Sequence, residues 1–244
     1  MKKLPTKLEK QTVLDAISEI FFKEPKDIEV FFSDVYILLK EDGWDFEKLP
    51  VMDIPENIRK ENSSFDKTPH YVFINNGRKV FIGPSVMAFT YDSSKAYNGW
   101  TNYLKELSEF IKLLEKTNDK TNIEQVSLNF VDFFKEQNIY EHITLSIEND
   151  ILETLYPDST KTKQYTTEIA VDELTIAIKI ENNISLNFKG SDTSIEGSII
   201  DLHVSQNIEG DNILTLYSNM HKHAKSIFFS LLKDEFIETL KPIY

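Results

Sequence analysis

The sequence of 244 residues contains no cysteine, and it has only seven glycines and eight prolines. The absence of cysteine excludes disulfide bonds, thiolate metal sites and cysteine nucleophiles, and it fits a reducing compartment. The scarcity of glycine and proline leaves little material for long flexible linkers. No apolar run approaches the ~18 residues of a membrane span. We therefore expect a soluble, cytoplasmic protein that does not enter the membrane.

The first ten residues are basic, as at the start of a signal peptide, with four lysines among them. In a signal peptide an apolar stretch would come next, and the sequence has none at that position. We expect no secretion by this route.

Positive charge is also scarce. The chain has 27 basic against 40 acidic residues, a net charge of −13, and its only arginines are Arg59 and Arg78. Recognition of phosphates and guanines commonly uses several arginines, and an acidic body repels nucleic acid and anionic membranes. Nucleic-acid binding is therefore disfavoured. The acidity is explained either by solubility or by a basic protein partner.

Catalytic motifs are missing as well. The sequence has no glycine-rich nucleotide fingerprint, no phosphate-binding loop, no H-E-x-x-H zinc motif and no calcium loop. The segment from Gly83 to Met87 lacks the second glycine of a nucleophile elbow. We accordingly assign no catalytic residue, no metal and no cofactor, and we expect a protein that is not an enzyme.

The hydrophobic pattern of the N-terminal half predicts strand, helix, hairpin, helix and strand, although a helical interpretation of the first strand stays open. Asn76 and Gly77 supply the two positive-φ residues of a type I′ hairpin turn. Residues 44–68 form a connection longer than usual, which would be functional or mobile if it is unstructured. The predicted elements are a strand at 13–22, a helix capped by Asp27 and ended by Gly43, hairpin strands at 70–75 and 78–90, a helix at about 98–116 and a strand at 123–134.

The second half predicts a β meander and a long amphipathic helix that runs from Asp211 to Tyr244. Asn182 and Asn183 predict a tight turn, because asparagine tolerates left-handed backbone geometry. The other predicted elements are a short helical piece around 139–155 and strands at about 164–171, 174–181, 184–188 and 197–206.

These elements together predict an α+β fold, with mostly antiparallel sheet or sheets and amphipathic helices packed on one face. The chain divides into two similar-sized halves, an N-terminal α+β half at 1–134 and a C-terminal half at 135–244, with no true linker between them. The pattern leaves open whether the halves share one sheet or form two.

Three residues are candidates for ligand binding. Asp201 and His203 alternate along one predicted strand, so they share a face, and an acid beside an imidazole could orient a general base. No nucleophile or third partner accompanies them, and a solvated strand face explains the pair as well. His221 borders the apolar stripe of the final helix, where it is either a ligand-binding group or a flanking residue with one hydrogen bond. His223 points about 200° away from it, so the two histidines do not share a metal ion.

Four segments suggest a family. They are the opening from Leu4-Pro5 to Phe22, the helix from Tyr103-Leu104 to Leu113-Leu114, the strand Val126–Val131, and the final helix with Met220-His221, Ala224, Phe228, Leu232, Asp234 and Glu235. As a set they resemble a sporadically distributed family of uncharacterised bacterial proteins of about this length. In that family the middle strand carries arginines and a Tyr-Asn pair, whereas this chain has Gln125 and Asn129 at the arginine positions.

The resemblance implies no activity, cofactor or catalytic residue. The patchy distribution of the family implies an accessory gene carried with bacterial defence or toxin–antitoxin-like loci. Our leading hypothesis is a non-enzymatic binding or regulatory protein that engages another protein, as an accessory or neutralising component of such a module. The alternative is an enzyme or nucleotide-sensing protein with an unfamiliar site around Asp201 and His203 or around His221. A homodimer assembled through exposed helices or edge strands is a third hypothesis.

Overall fold

The computed structural model of the chain describes residues 3–91, 97–117, 123–145, 164–187, 194–208 and 212–244. The strands are β1 (Lys7–Leu8), β2 (Val13–Phe22), β3 (Asp45–Lys48), β4 (Tyr71–Asn75), β5 (Arg78–Gly83), β6 (Val86–Tyr91), β7 (Ile123–Lys135), β8 (Gln164–Val171), β9 (Leu174–Asn187), β10 (Ser194–Asn207) and β11 (Pro242–Ile243). The α-helices are α1 (Ile28–Lys40), α2 (Glu56–Glu61), α3 (Trp100–Lys116), α4 (Ile213–Leu231) and α5 (Asp234–Thr239). The sheet-dominated α+β class is confirmed.

Nine of these strands form one antiparallel sheet in the order β3-β4-β5-β6-β2-β7-β10-β9-β8, and β1 pairs with β11 in a separate two-stranded ribbon. Strand β7, near the end of the predicted first half, pairs with β10 of the second half along most of its length. The open question of one sheet or two is therefore answered in favour of one. The division at residue 134 stays a prediction.

The sheet has an inner face, which the long helices cover, and an outer face. Along β7 the inner face carries Val126, Leu128 and Phe130, all buried. The three long helices α1, α3 and α4 contact this face. The Phe31 ring of α1 meets Phe22 of β2 edge to face at 5.8 Å, for example. Alternation along β2 and along most of β7 therefore sends successive side chains into two different environments.

Two buried tyrosine hydroxyls fasten α3 and α4 to the central strand β2. Tyr103 of α3 donates to the Ala16 carbonyl at 3.1 Å and lies 2.9 Å from the Ser18 hydroxyl. Tyr217 of α4 donates to the Glu19 carbonyl at 2.6 Å. A buried hydroxyl without a partner would be costly, so these bonds fix where each helix sits on the sheet.

Several predicted local features are confirmed. The Asp27 carboxylate accepts from the backbone N–H groups of Glu29 and Val30 at the start of α1. Asn76 and Gly77 have φ angles of 49° and 75°, as the predicted hairpin turn requires. Residues 45–65, within the long predicted connection, contain β3, α2 and two short 3₁₀ turns, so that connection is largely structured.

Two predictions of strand boundaries are wrong. The predicted strand 78–90 is two strands, β5 and β6, which pair with each other around Pro84 and Ser85. Asn182 and Asn183 do not form a turn, because β9 continues through them. They lie opposite the single residue Ser198, and Asn183 has φ of 55°. The left-handed geometry was anticipated, but a β-bulge uses it and not a hairpin.

The prediction of one long terminal helix from Asp211 to Tyr244 is also wrong in its extent. Helix α4 ends at Leu231, and Leu232 is extended with ψ of 142°. The reason lies elsewhere in the chain: Ile143 forms a β-bridge with Leu232, and the Thr144 N–H donates to the Leu231 carbonyl at 2.7 Å. These bonds take the place of the backbone hydrogen bonds that a continued helix would form. The predicted helical piece at 139–155 begins as a 3₁₀ turn at Ile139–Glu141, and its part beyond residue 145 lies outside the described residues.

Candidate ligand-binding cleft

A cleft of about 290 Å³ opens between α4, the start of α3, β7 and the segment that precedes β2. Each of these elements contributes side chains of a different kind. Helix α4 presents His221, Ala224, Lys225 and Phe228, which share one side of the helix because they are three or four residues apart. The cleft therefore depends on tertiary packing between distant parts of the chain.

One wall of the cleft is the segment from Pro5 to Val13. The β1–β11 ribbon holds it in place, with a further bond from the Thr6 hydroxyl to the Ile243 carbonyl at 2.8 Å. At the other end of this segment, the Phe133 N–H donates to the Thr12 carbonyl at 2.8 Å. The wall is thus anchored both to β11 and to the main sheet.

Aromatic rings form the middle of the cleft. The His221 imidazole stacks on the Trp100 indole with ring centres 4.0 Å apart and planes inclined by 2°. Phe130 meets His221 at 5.9 Å and a steep angle, and Tyr97 meets Phe130 edge to face at 5.8 Å. Such rings give a ligand large apolar contact surfaces with defined geometry. The cleft is consequently suited to a flat or ring-bearing molecule.

The acidic group of the cleft is Asp132. It follows Phe130 on the inner face of β7, is only 4% exposed, and accepts a hydrogen bond from the Thr12 hydroxyl at 2.5 Å. Burial raises the pKa of Asp132 to about 7, although the Thr12 hydrogen bond opposes that rise. Near neutral pH this carboxyl can therefore either donate or accept a proton.

The two buried or partly buried basic groups of the cleft on α4 have lowered pKa values. Burial, and then the nearby charge of Lys225, lower the pKa of His221 to about 4, so the stacked imidazole is neutral at physiological pH. Burial also lowers the pKa of Lys225. Burial raises the pKa of Tyr97, as does the proximity of Asp132. Shifted titratable groups that line one cleft are typical of functional sites.

The other two predicted site residues are not in this cleft. Asp201 and His203 share a face of β10, as their alternation predicts, but it is the outer face of the sheet. There the His203 Nε2 atom lies 4.0 Å from a Glu19 carboxylate oxygen, which also accepts from the Ser127 hydroxyl at 2.7 Å. The structure thus separates the Asp201–His203 pair from His221.

The Asp201 carboxyl is itself perturbed. Burial raises its pKa, and His203 and the Asn129 amide act against that rise. No lining residue of the cleft described above comes from the outer face. Neither Asp201 nor His203 lines that cleft, and their role in ligand binding stays a prediction.

Sequence reasoning missed Asp132, Trp100 and Lys225. A signal for Asp132 existed, because it lies in phase with Val126, Leu128 and Phe130, and an acid on an apolar strand face is costly unless it has a role. Trp100 and Lys225 look like ordinary members of amphipathic helices. Their place in the wall of the cleft follows only from the packing of α3 against α4.

The described residues contain no group of three or more His, Asp or Glu side chains that could hold a metal ion. None of their helices combines the length and the hydropathy that a membrane span requires.

Comparison with known proteins does not assign the chain to a family. Neither a scan against protein-family models nor a search of the curated proteins finds a match to the chain. The resemblance suggested by the four sequence segments therefore stays a prediction, and functional inference depends on the cleft itself.

Proposed function

We propose that this protein binds a small, ring-bearing organic molecule in the cleft between α3, α4 and β7, and that it acts as a ligand-binding or sensing protein. The observation that carries the proposal is the convergence of the stacked Trp100–His221 pair with the buried Asp132 carboxyl on one cavity. Apolar walls with a few fixed polar groups are the usual composition of small-molecule sites.

The volume and the chemistry of the cleft limit the ligand. About 290 Å³ is at the lower end of known ligand pockets, which favours a molecule of one or two rings. The ring would lie against the Trp100–His221 stack, and Asp132 would exchange a hydrogen bond with a polar substituent. The sequence-based alternative of a sensor or enzyme around His221 is compatible with this proposal.

An NMR titration tests the proposal. The protein has two tryptophans, Trp44 and Trp100, and only Trp100 lines the cleft. A neutral two-ring compound, 1-naphthamide, should shift the indole N–H resonance of Trp100 and leave that of Trp44 in place. A Trp44→Phe variant assigns the two resonances.

A matched pair of variants locates the binding site. Ala224→Leu adds volume inside the cleft and should abolish the shift, whereas Ser226→Leu adds the same side chain at an exposed position of α4 and should not. Equal shifts of both tryptophans, or binding that Ala224→Leu leaves intact, would contradict the proposal.

A protein partner is a second candidate function, and one observation favours it. The outer edge of β8 has no strand partner among the described residues, and Ile169 and Val171 on this strand are 41% and 36% exposed. Exposed apolar edge strands are common sites for pairing with another chain. The expected link to a defence or toxin–antitoxin-like module has no support beyond the family resemblance and stays a prediction.

Size-exclusion chromatography with the products of neighbouring genes tests this second candidate. A genuine partner should co-elute at micromolar concentration, and Ile169→Lys should abolish the co-elution. Failure of every neighbour to co-elute would count against it.

A further inference from the structure

Lys225 is a partly buried cation in the wall of the cleft. It lies one helical turn after His221 on α4, is partly buried, and has its pKa lowered by that burial. Among the described residues no carboxylate lies within 4.0 Å of its ammonium group. Partial burial removes some of the hydration of this charge, so an anion bound in the cleft would meet a cation that has no carboxylate partner among those residues.

A shortage of acidic side chains does not explain the missing partner. The chain carries 40 of them, and two other partly buried cations have a carboxylate partner. In a second cleft, between α1 and α3, Arg78 lies 3.9 Å from Glu109. On the outer face of the sheet, Lys179 lies 2.7 Å from Glu181. Lys225 differs from both in facing the candidate ligand cleft.

The other charged side chains that line this cleft also leave it with an excess of positive charge. Lys7 on β1 is a second basic lining residue, and Asp132 on β7 is the only acidic one among the described lining residues. Asp132 is hydrogen-bonded to Thr12 and carries a proton for part of the time at neutral pH. The first turn of α3, which contributes Trp100, contains no acidic side chain. A protein of net charge −13 thus has a locally positive cleft.

We propose that the ligand is a compact ring-bearing anion, whose carboxylate or phosphate group binds the Lys225 ammonium while its ring lies against Trp100 and His221. This inference rests on the proposed function and specifies the chemical class of its ligand. The anionic group would supply the ion pair that Lys225 lacks among the described residues, and the aromatic wall would select against inorganic anions.

The test compares probes that share a ring and differ in charge. Dissociation constants are measured at pH 6.0 from the Trp100 indole resonance, with 1-naphthoate, 1-naphthyl phosphate and the neutral 1-naphthamide. At this pH the Asp132 carboxyl is mostly protonated, so it does not repel the anions. We expect at least one anion to bind at least about tenfold more tightly than the amide. The stronger of the two anions identifies the preferred group.

Variants of α4 assign the preference to one side chain. Lys225→Met should bring the affinities for anion and amide to within about twofold of each other, and Lys225→Arg should retain the preference. Lys222→Met removes an exposed charge from the same helix and should change nothing. If Lys225→Met does not fold, the comparison of probes on the wild-type protein decides alone.

The outcomes separate the two proposals. If 1-naphthamide binds at the Ala224-sensitive site and neither anion binds more tightly, the charge inference is overturned and the ligand-binding function stands. If the anion preference survives in Lys225→Met, the inference is also overturned. If no probe shifts the Trp100 resonance, both proposals fail.

Discussion

Asp132 and Asp201 lie on neighbouring strands of one sheet, β7 and β10, but on opposite faces of it. Asp132 faces inward, where helices and the Pro5–Val13 segment exclude water and one threonine hydroxyl is its hydrogen-bond partner. Asp201 faces outward and stands beside His203 and Asn129. The difference shows that the covering layer, more than the adjacent sequence, decides what chemistry a strand residue can perform.

Removal of the ionisable group at Asp132 should give the largest effect. The unfolded chain releases this proton near pH 3.8 and the folded chain near pH 7. The folded state therefore loses stability as the pH rises through that window, by on the order of 4 kcal/mol once the pH exceeds 7. Asp132→Asn cannot ionise, so its free energy of unfolding relative to wild type should increase by that amount from pH 4 to pH 8. Urea unfolding across this range measures it.

Asp201→Asn is the matched control on the outer face. The pKa of Asp201 is also raised, so a change of the same sign is expected. It should be smaller, because this half-buried carboxyl has charged and polar neighbours. A difference between Asp132→Asn and wild type that does not vary with pH would contradict the assignment of a neutral buried acid.

The next largest difference is expected between the stability costs of truncating one isoleucine on each face of β2. Ile20 is completely buried on the inner face, and Ile17 is partly exposed on the outer face. Ile20→Ala should cost roughly 3 kcal/mol because it leaves a cavity in a packed core. Ile17→Ala should cost well under half of that. Urea midpoints at one pH give both values, and equal costs would show that the outer face is covered as well.

Two threonine–aspartate pairs offer a smaller and more specific comparison. Thr12 donates to Asp132 on the inner face, and Thr90 donates to Asp15 on the outer face at 2.6 Å. At pH 8, Thr12→Val should cost about 1.5 kcal/mol, since a carboxylate loses its hydrogen bond without access to water. It should also raise the pKa of Asp132 further, which carbon-13 NMR of the carboxyl group detects. Thr90→Val should cost less, and a larger cost there would reverse the comparison.

The smallest expected effect concerns His221, which should show no titration in the neutral pH range. Burial keeps the pKa of this imidazole at about 4, so its carbon-bound protons should show constant NMR shifts between pH 5.5 and 8. Because the folded pKa is depressed, the contribution of His221 to stability is present above the unfolded value and declines as the pH falls towards 4. A titration midpoint near 6.5 would mean that the stack on Trp100 is open to water.

Much of the fold could be predicted because it depends on local signals. The periodicity of α1 and α3, the Asp27 cap and the Asn76-Gly77 turn are each determined within a few residues, and all are confirmed. The error at the end of the terminal helix arises because a distant segment supplies the decisive bond. Helix α4 ends where it does because Ile143 pairs with Leu232, and no pattern inside the helix encodes that partner.

The candidate site likewise depends on contacts between distant parts of the chain. His221 was a candidate from its position at the edge of an apolar stripe, and the structure places it in a cleft. Its neighbours in the cleft could not be assigned from the sequence, because they come from distant parts of the chain: Thr12 and Asp132, for example, are 120 residues apart. Asp201 and His203 are candidates because they are close in sequence, and this proximity places two side chains on one strand face but not in the cleft.

The β1–β11 ribbon has a consequence for biosynthesis. Thr6 and Ile243 are separated by 237 residues, so at ~5–20 residues per second the ribosome needs on the order of 10 to 50 s to deliver the second strand after the first. During that time the Pro5–Val13 segment lacks the partner that holds it against the cleft. The nascent chain can therefore form much of the central sheet before the cleft has its complete wall, and the cleft is finished only once β11 has been synthesised.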